Sequence, residues 1–426
     1  MRGRVYGFRV TFLLFVLILM KCTRPVMPAK EVHLKLPPGK SQANRYLILN
    51  YLSGGPLPSA QELPSSDDVQ RLRQALCSHC GVLDVGMAGT ASRFLLATMA
   101  FTPGERVIDG APRLRERPLR PLVDALRSLG ADIKVLTDKS LPIYVKGVVP
   151  SISEVSIEGD ISSQFISALL MVGTRFPNGL RIQIKGNQVS SSYVTLTIEA
   201  INQFGGKVHL SAEGFHVLPG LTTKTVFPSI EPDWSSVGPW FMCAALSGSS
   251  FFFPRLPYPS HQPDAKLFEW AKEFGLDFYR ADNGLWIKPG LTNNKPLDFN
   301  LIDAPDLAPY LVLLAGAQNR AFRFTGLQTL TGKESDRIAA LLQLLRRFGI
   351  EAQYDGIVLE KMGGQFTNPS KTPLPVFNDH RMAMALAPLA FLTEEICIET
   401  PEVVGKSYPD FWEHLAMTGM RVGLES

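Results

Sequence analysis

Helix-start signals recur in this chain every 72 residues, which restricts the fold to repeated copies of one α/β unit. The segments read Gly89-Thr90-Ala91-Ser92-Arg93-Phe94, Asp160-Ile161-Ser162-Ser163-Gln164-Phe165, Asp233-Trp234-Ser235-Ser236, Pro305-Asp306-Leu307-Ala308 and Asn378-Asp379-His380-Arg381. Each places a turn or capping residue before an apolar helical pattern. Thr90, Ser162, Trp234, Asp306 and Asn378 are successively 72 residues apart, and an earlier start at Ser41 lies 49 before Thr90. A second series keeps step. Helical segments close on Gly130, Gly205, Gly275 and Gly349, with Gly81 and Gly419 as outer members, and strand-like residues follow. Glycine suits the left-handed residue that ends a helix. Two independent series in step predict six α/β units, three per domain, at a length that calls for two domains. If the first helices of the units face one cleft, their N-terminal dipoles and free N–H groups make an anion site.

Charge supports that chemistry. The chain is +4 overall, but residues 1–26 hold Arg2, Arg4, Arg9, Lys21 and Arg24 and no acid, which leaves the rest at −1. That excludes a basic field for nucleic acid. The apolar run Val10 to Met20 is too short to span a bilayer and lacks a signal-cleavage site. Residues 1–26 are therefore expected to be a signal-like segment or an upstream extension outside the fold, with Met27 as the working start. Five cysteines do not describe a disulfide scaffold, and Cys77-Ser78-His79-Cys80 has no second C-x-x-C to complete a zinc site. Gly39-Lys40-Ser41 and Gly405-Lys406-Ser407 look like P-loop ends, but Leu34 and Thr400 stand where the first glycine is required. Serine-hydrolase and zinc-protease motifs are absent.

What remains is a set of cations and carboxylates at helix starts. Lys40-Ser41-Gln42-Ala43-Asn44-Arg45, Gly89-Thr90-Ala91-Ser92-Arg93, Glu116-Arg117-Pro118, Ser162-Ser163-Gln164, Lys333-Glu334-Ser335-Asp336-Arg337, Asn378-Asp379-His380-Arg381-Met382-Ala383 and Lys406-Ser407-Tyr408-Pro409-Asp410 follow in order. Together, over almost the whole length, they resemble the enolpyruvyl transferase family of EPSP synthase. The resemblance implies an inside-out α/β barrel in each of two domains, with the active site in the cleft between them. One domain is expected at 39–232 and the other at 27–38 plus 233–426. The implied reaction carries the enolpyruvyl group of phosphoenolpyruvate to the 5-hydroxyl of 3-phosphoshikimate, releasing phosphate, in aromatic amino acid (chorismate) biosynthesis.

The same resemblance implies phosphoenolpyruvate contacts at Lys40, Gly89, Arg117, Gln164, Arg337, Arg381 and Lys406. It implies shikimate 3-phosphate contacts at Lys40, Ser41, Arg45, Ser162, Ser163, Gln164, Ser190, Tyr193, Asp306 and Lys333. Guanidinium forks and lysines suit substrates that each carry a phosphate and a carboxylate. Asp306 is the expected base at the hydroxyl, Glu334 the acid/base at C3 with Lys40, and His380 an orienting group. No metal or cofactor is implied, and a cytoplasmic monomer with small-molecule substrates, no nucleic acid and no membrane is expected. Glyphosate is the expected inhibitor of the phosphoenolpyruvate pocket. Met87 stands where the family usually has Asn, Ala43 where it has a second Ser, and Pro38-Gly39-Lys40 replaces its G-S-K. The related UDP-N-acetylglucosamine enolpyruvyl transferase uses a cleft-loop cysteine, which none of the five cysteines here matches. A non-catalytic anion-binding relative would have no use for the paired acids Asp306 and Glu334.

Overall fold

A computed structural model describes residues 18–78, 81–186, 189–292, 294–369 and 372–425. All six helix-closing glycines of the sequence series have positive φ, between 75° and 95°. The five markers at 72-residue spacing all fall within two residues of a helix start, as with Ser162 before Ser163–Gly173 and Asn378 before His380–Leu386. Cys80, and with it the C-x-x-C, lies outside the described residues.

Each marker opens an apolar helix. In Gly89–Ala100 every residue except Thr90 is buried, and in Ala308–Ala317 and His380–Leu386 all are. Helices apolar on all sides belong inside a core. Lys40–Leu52, Gly89–Ala100 and Ser163–Gly173 touch one another pairwise, and so do Gly238–Ser247, Ala308–Ala317 and His380–Leu386. Sheets lie outside these two helical triplets, the reverse of a barrel with helices around strands.

Four four-stranded sheets share one topology. In the sheet of Glu154–Glu158, Leu180–Lys185, Val208–Ser211 and Gly214–Val217, the first strand runs parallel to the second, with Val155 opposite Ile182. The last strand then pairs antiparallel with both the second and the third. The sheets built on Gly81–Asp84, Glu31–His33 and Leu297–Asn300 repeat that order. Parallel neighbours require a crossover, and the buried inner helix supplies it in the units that run without interruption. The fifth sheet has three antiparallel strands, Glu395–Glu399, Leu19–Thr23 and Arg421–Glu425. Among the described residues the first helix pair, Lys40–Leu52 and Asp67–Cys77, has no sheet of its own, so six helix pairs share five sheets.

The N-terminal expectation needs correcting. Leu19–Thr23 is the middle strand of that fifth sheet, with Met20 and Cys22 buried, so residues 19–23 belong to the fold. Their alternating exposure is that of a strand with one face on a core. Residues 1–17 lie outside the described residues.

Two hydrophobic clusters result. One runs from Ala43 to Val217; the other joins Met20–Leu36 to Trp234–Met420. The chain passes between them at two adjacent points. Gly39 N donates to Glu231 O at 2.7 Å, Asp233 N donates to Pro37 O at 2.8 Å, and Pro38 bridges Pro232. Among the described residues no helix is long and apolar enough to cross a membrane.

Candidate active site

The six inner helices point their N-terminal ends at one cavity of about 340 Å³. It is lined by Lys40 and Ser41, Gly89 and Thr90, Ser162 to Gln164, Ser235, Asp306, and His380 and Arg381, which stand at those six starts. Loops add Arg117, Lys333 and Glu334. Seven cationic side chains line it against four carboxylates, a surplus of three in a body that is otherwise near neutral. Helix dipoles of one sense add to the same positive field.

Arg337 organises the charged floor. It is 1% exposed, and its Nη1 donates to Asp306 at 2.7 Å, Nη2 to Glu334 at 3.1 Å and Nε to Asp379 at 2.7 Å. The second oxygen of Asp306 accepts from Arg381 Nη2 at 2.9 Å and from Tyr193 Oη at 3.2 Å, while Lys333 stands 3.3 Å from the first. Burial alone would push the Asp306 carboxyl up; Arg381, Lys333 and Arg337 outweigh it and hold it well below the ordinary carboxylate range. Glu334 follows the same logic. Burial opposes its charge, but Lys406 at 2.6 Å, Arg337 and Arg117 hold it well below the usual value. Both acids are therefore ionised at neutral pH. Lys333 is shifted down, chiefly by burial, against the pull of Asp306. Burial, then Lys40 and Arg381, keep the His380 imidazole well below its usual value, so it is neutral at pH 7. Neither of its ring nitrogens makes a hydrogen bond among the described residues.

Backbone geometry positions the rest. The hydroxyl of Ser162 caps its helix by accepting from Gln164 N at 3.3 Å, and Gln164 Nε2 reaches Thr90 Oγ1 at 3.2 Å. A methyl on Gly89 would collide with the Arg117 guanidinium, so only glycine leaves that arginine its place. Arg117 Nε donates to Gly332 O at 3.2 Å and thereby ties the two halves of the cavity together.

Three kinds of likeness to known proteins bear on this arrangement. The sequence profile described as EPSP synthase (3-phosphoshikimate 1-carboxyvinyltransferase) matches residues 71–415. A protein of that latter name from Bacteroides fragilis is 36% identical over 406 residues, covering 92% of this chain and 97% of its own. The chain belongs to the EPSP synthase family. Its identity to the Methanopyrus kandleri protein of the same name is 32% over 416 residues, covering 91% of this chain and 95% of that one. In fold, an EPSP synthase from Acinetobacter baumannii superposes with a TM-score of 0.74 at 18% identity, over 96% of this chain and all of its own. The enolpyruvyl transferase NikO of Streptomyces tendae gives 0.68 at 14%, over 96% of this chain and 99% of its own. The two-domain inside-out α/β architecture is thus that of EPSP synthases.

Within the family frame, the expected contact residues line the cavity, except Lys406, which stands behind the lining on Glu334. Two roles look different in place. Glu334 was expected to work with Lys40, yet its partners are Lys406 and Arg337, while Lys40 faces Asp68 at 3.0 Å. Arg45 is 2% exposed and already donates to Thr197 Oγ1, Ser41 O, Ser167 Oγ and Tyr193 O. Four of its five N–H bonds therefore brace the protein, and burial lowers its pKa to about 10. Sequence reasoning gave no role to Asp68, Asp379, Ser235 or Arg93. Asp379 held a signal, sitting next to His380 and Arg381 in their motif. Asp68 did not: with Asp67 it reads as an ordinary acidic first turn of Asp67–Cys77.

Proposed function

We propose that this chain transfers the enolpyruvyl group of phosphoenolpyruvate to the 5-hydroxyl of 3-phosphoshikimate, giving 5-enolpyruvylshikimate 3-phosphate and phosphate. The observation that carries the reading is the pair of ionised acids, Asp306 and Glu334, joined through Arg337 inside a cavity of surplus positive charge. Pure anion binding has no need of them, since each weakens the field that holds the substrates. The relatives' names point to the same reaction.

The arrangement divides the chemistry. Asp306, held ionised, accepts the proton of the 5-hydroxyl as that oxygen attacks C2 of phosphoenolpyruvate. C3 gains a proton before or with that attack and returns one when the C–O bond to phosphate breaks. Glu334 faces the cavity with Lys406 behind it at 2.6 Å, so a proton passed from the ammonium to the carboxylate can be given to C3 and taken back. Arg117, Arg337, Arg381 and Lys40 stabilise the leaving phosphate, and Ser162, Ser163, Ser190, Tyr193 and Lys333 hold the shikimate side. Gln164 and Gly89 sit where the two anions meet, and Ser41 and Arg45 brace that wall.

The two cores fit domains of 39–232 and 27–38 plus 233–426, extended back to the strand Leu19–Thr23. The paired crossings at Pro38 and Pro232 would then be the hinge, and closure would exclude water from the reacting atoms. The family's biosynthetic substrates favour a cytoplasmic enzyme, and a site built from one chain needs no second copy, so we read it as a monomer. Phosphate release by the purified full chain, supplied with both substrates and with each alone, tests the assignment. Release only with both supports it; none from a folded sample that binds either substrate overturns it.

A further inference from the structure

Four consecutive residues at the start of helix Ser191–Gln203 clasp the turn that carries Asp306. Ser190 Oγ donates to Ile302 O at 3.2 Å, Ser191 Oγ to Asp303 Oδ1 at 2.8 Å, Ser192 Oγ to Asp303 O, and Tyr193 Oη to Asp306 Oδ2 at 3.2 Å. The two sides belong to different cores: the helix packs on the cluster ending at Val217, the turn on the cluster that resumes at Trp234. Ser190 holds a left-handed backbone, φ 53° and ψ 47°, which a serine adopts at some cost and which aims the following hydroxyls at the turn.

The gripped turn is stiff. Ile302 N donates to Asn300 Oδ1 at 3.0 Å, Ala304 N to Leu301 O at 3.0 Å, and Leu307 N to Ala304 O at 3.1 Å. Only buried Ala304 and Pro305, whose ring fixes φ, separate Asp303 from Asp306. A displacement at Asp303 must therefore reach the carboxylate three residues on. No other role offers itself for Asp303. It belongs to none of the motifs and does not line the cavity.

We propose that Asp303 is a positioning residue, which Ser191 and Ser192 capture so that the proton-accepting Asp306 is held in register with the shikimate-binding wall. The inference rests on the reading of Asp306 as the base. It makes shikimate-side binding and base alignment one event, because Ser190 and Tyr193, the expected phosphate-side contacts, belong to the same four-residue clasp.

Steady-state kinetics on the full chain test it with Ser191→Ala, Asp303→Ala, the double variant and Asp303→Asn. Each alanine variant is expected to lose about three- to tenfold in kcat, the worth of one ordinary hydrogen bond. KM for phosphoenolpyruvate should change less than kcat, since Arg337 and Arg381 keep their other partners, Asp379 and Ser235, when Asp306 shifts. The double variant should lose no more than the worse single, because both remove the same bond. Asp303→Asn should recover most of the loss, its amide oxygen still accepting from Ser191. Melting temperatures should hold, because the clasp lies outside both hydrophobic clusters. Unchanged kcat in the alanine variants, losses that multiply in the double, or a melting temperature that falls in step with kcat would overturn the inference. An inactive wild-type chain would sink the parent assignment and this inference with it.

Discussion

Starting the chain at Met27 removes the middle strand of the three-stranded sheet and leaves Glu395–Glu399 and Arg421–Glu425 without a common partner. The loss can be estimated. Met20 at 7% exposed and Cys22 at 0% leave the core, at about 2 kcal/mol each for side chains of this size. Five residues of Leu19–Thr23 pair on each side, and their ladder bonds contribute about 1 kcal/mol or less apiece after water replaces them. Ordering the five backbone residues costs about 1–2 kcal/mol each, and the net of about 5 kcal/mol is a large share of the roughly 5–15 kcal/mol that stabilises a domain. For a core of some two hundred residues this lowers the melting temperature by roughly 10–20 °C. Scanning calorimetry of the full chain and the shortened chain measures it. A complementary change within the full chain, Cys22→Asp, buries an unpaired charge at the same place and should destabilise comparably. Equal melting temperatures for the full and shortened chains would refute the reasoning and return residues 19–26 to a dispensable extension.

Asp306→Asn and Glu334→Gln should lower turnover roughly 10²–10⁴-fold while calorimetric substrate affinities change far less. Lys406→Met removes the nearest cation from Glu334, so its depressed pKa should rise; the acid limb of the pH profile of kcat/KM then moves to higher pH, and an unmoved limb would exclude Glu334 as its source. Stability carries the same sign: a depressed carboxylate stabilises the fold above its unfolded pKa and loses that contribution as pH falls from that ordinary value through the folded one, so acid should weaken the full chain over that interval. Arg381→Ala should raise KM for phosphoenolpyruvate and also cut turnover, because Arg381 holds Asp306, whereas Ser163→Ala should chiefly raise KM for shikimate 3-phosphate. Gly89→Ala displaces the Arg117 guanidinium, an overpacking that costs about 1–3 kcal/mol; inhibition constants should show glyphosate weakened by one to two decades, roughly, and phosphoenolpyruvate by less.

The elements legible in the sequence were those whose cause is local. Gly130, Gly205, Gly275 and Gly349 announce helix ends because the left-handed conformation is a property of one residue. Ser162, Asp233 and Asp379 announce helix starts because a capping side chain acts over a single turn, each accepting from the amide two residues on. Convergence of those starts on one cavity was not local, and only the repeat hinted at it. The strand Leu19–Thr23 was missed because nothing nearby marks it: its partners lie more than 370 residues away, and five residues carry too little alternation to stand out from the apolar run before them. Which residues line the cavity was readable from motif order, but pairing was not. Whether Lys40 meets Glu334 or Asp68 depends on how the cores face each other, which no spacing along the chain encodes.

The second core is discontinuous, and this sets an order on its assembly. A ribosome delivers Leu19–Thr23 and Glu31–His33 before any of the partners they pair with, and domains generally fold as units as the chain emerges. The 43–217 core can close early, looped out between two halves of an unfinished neighbour. Its closure draws Pro38 and Pro232 together and converts a separation of almost two hundred residues into contact, which cuts the entropy of the later pairing. The strand Arg421–Glu425 is synthesised about four hundred residues after Leu19–Thr23, so the sheet that holds that early strand cannot be completed until it emerges. A nascent chain missing that later strand holds a folded first core and an unpaired strand edge, the combination that invites chaperone binding and aggregation.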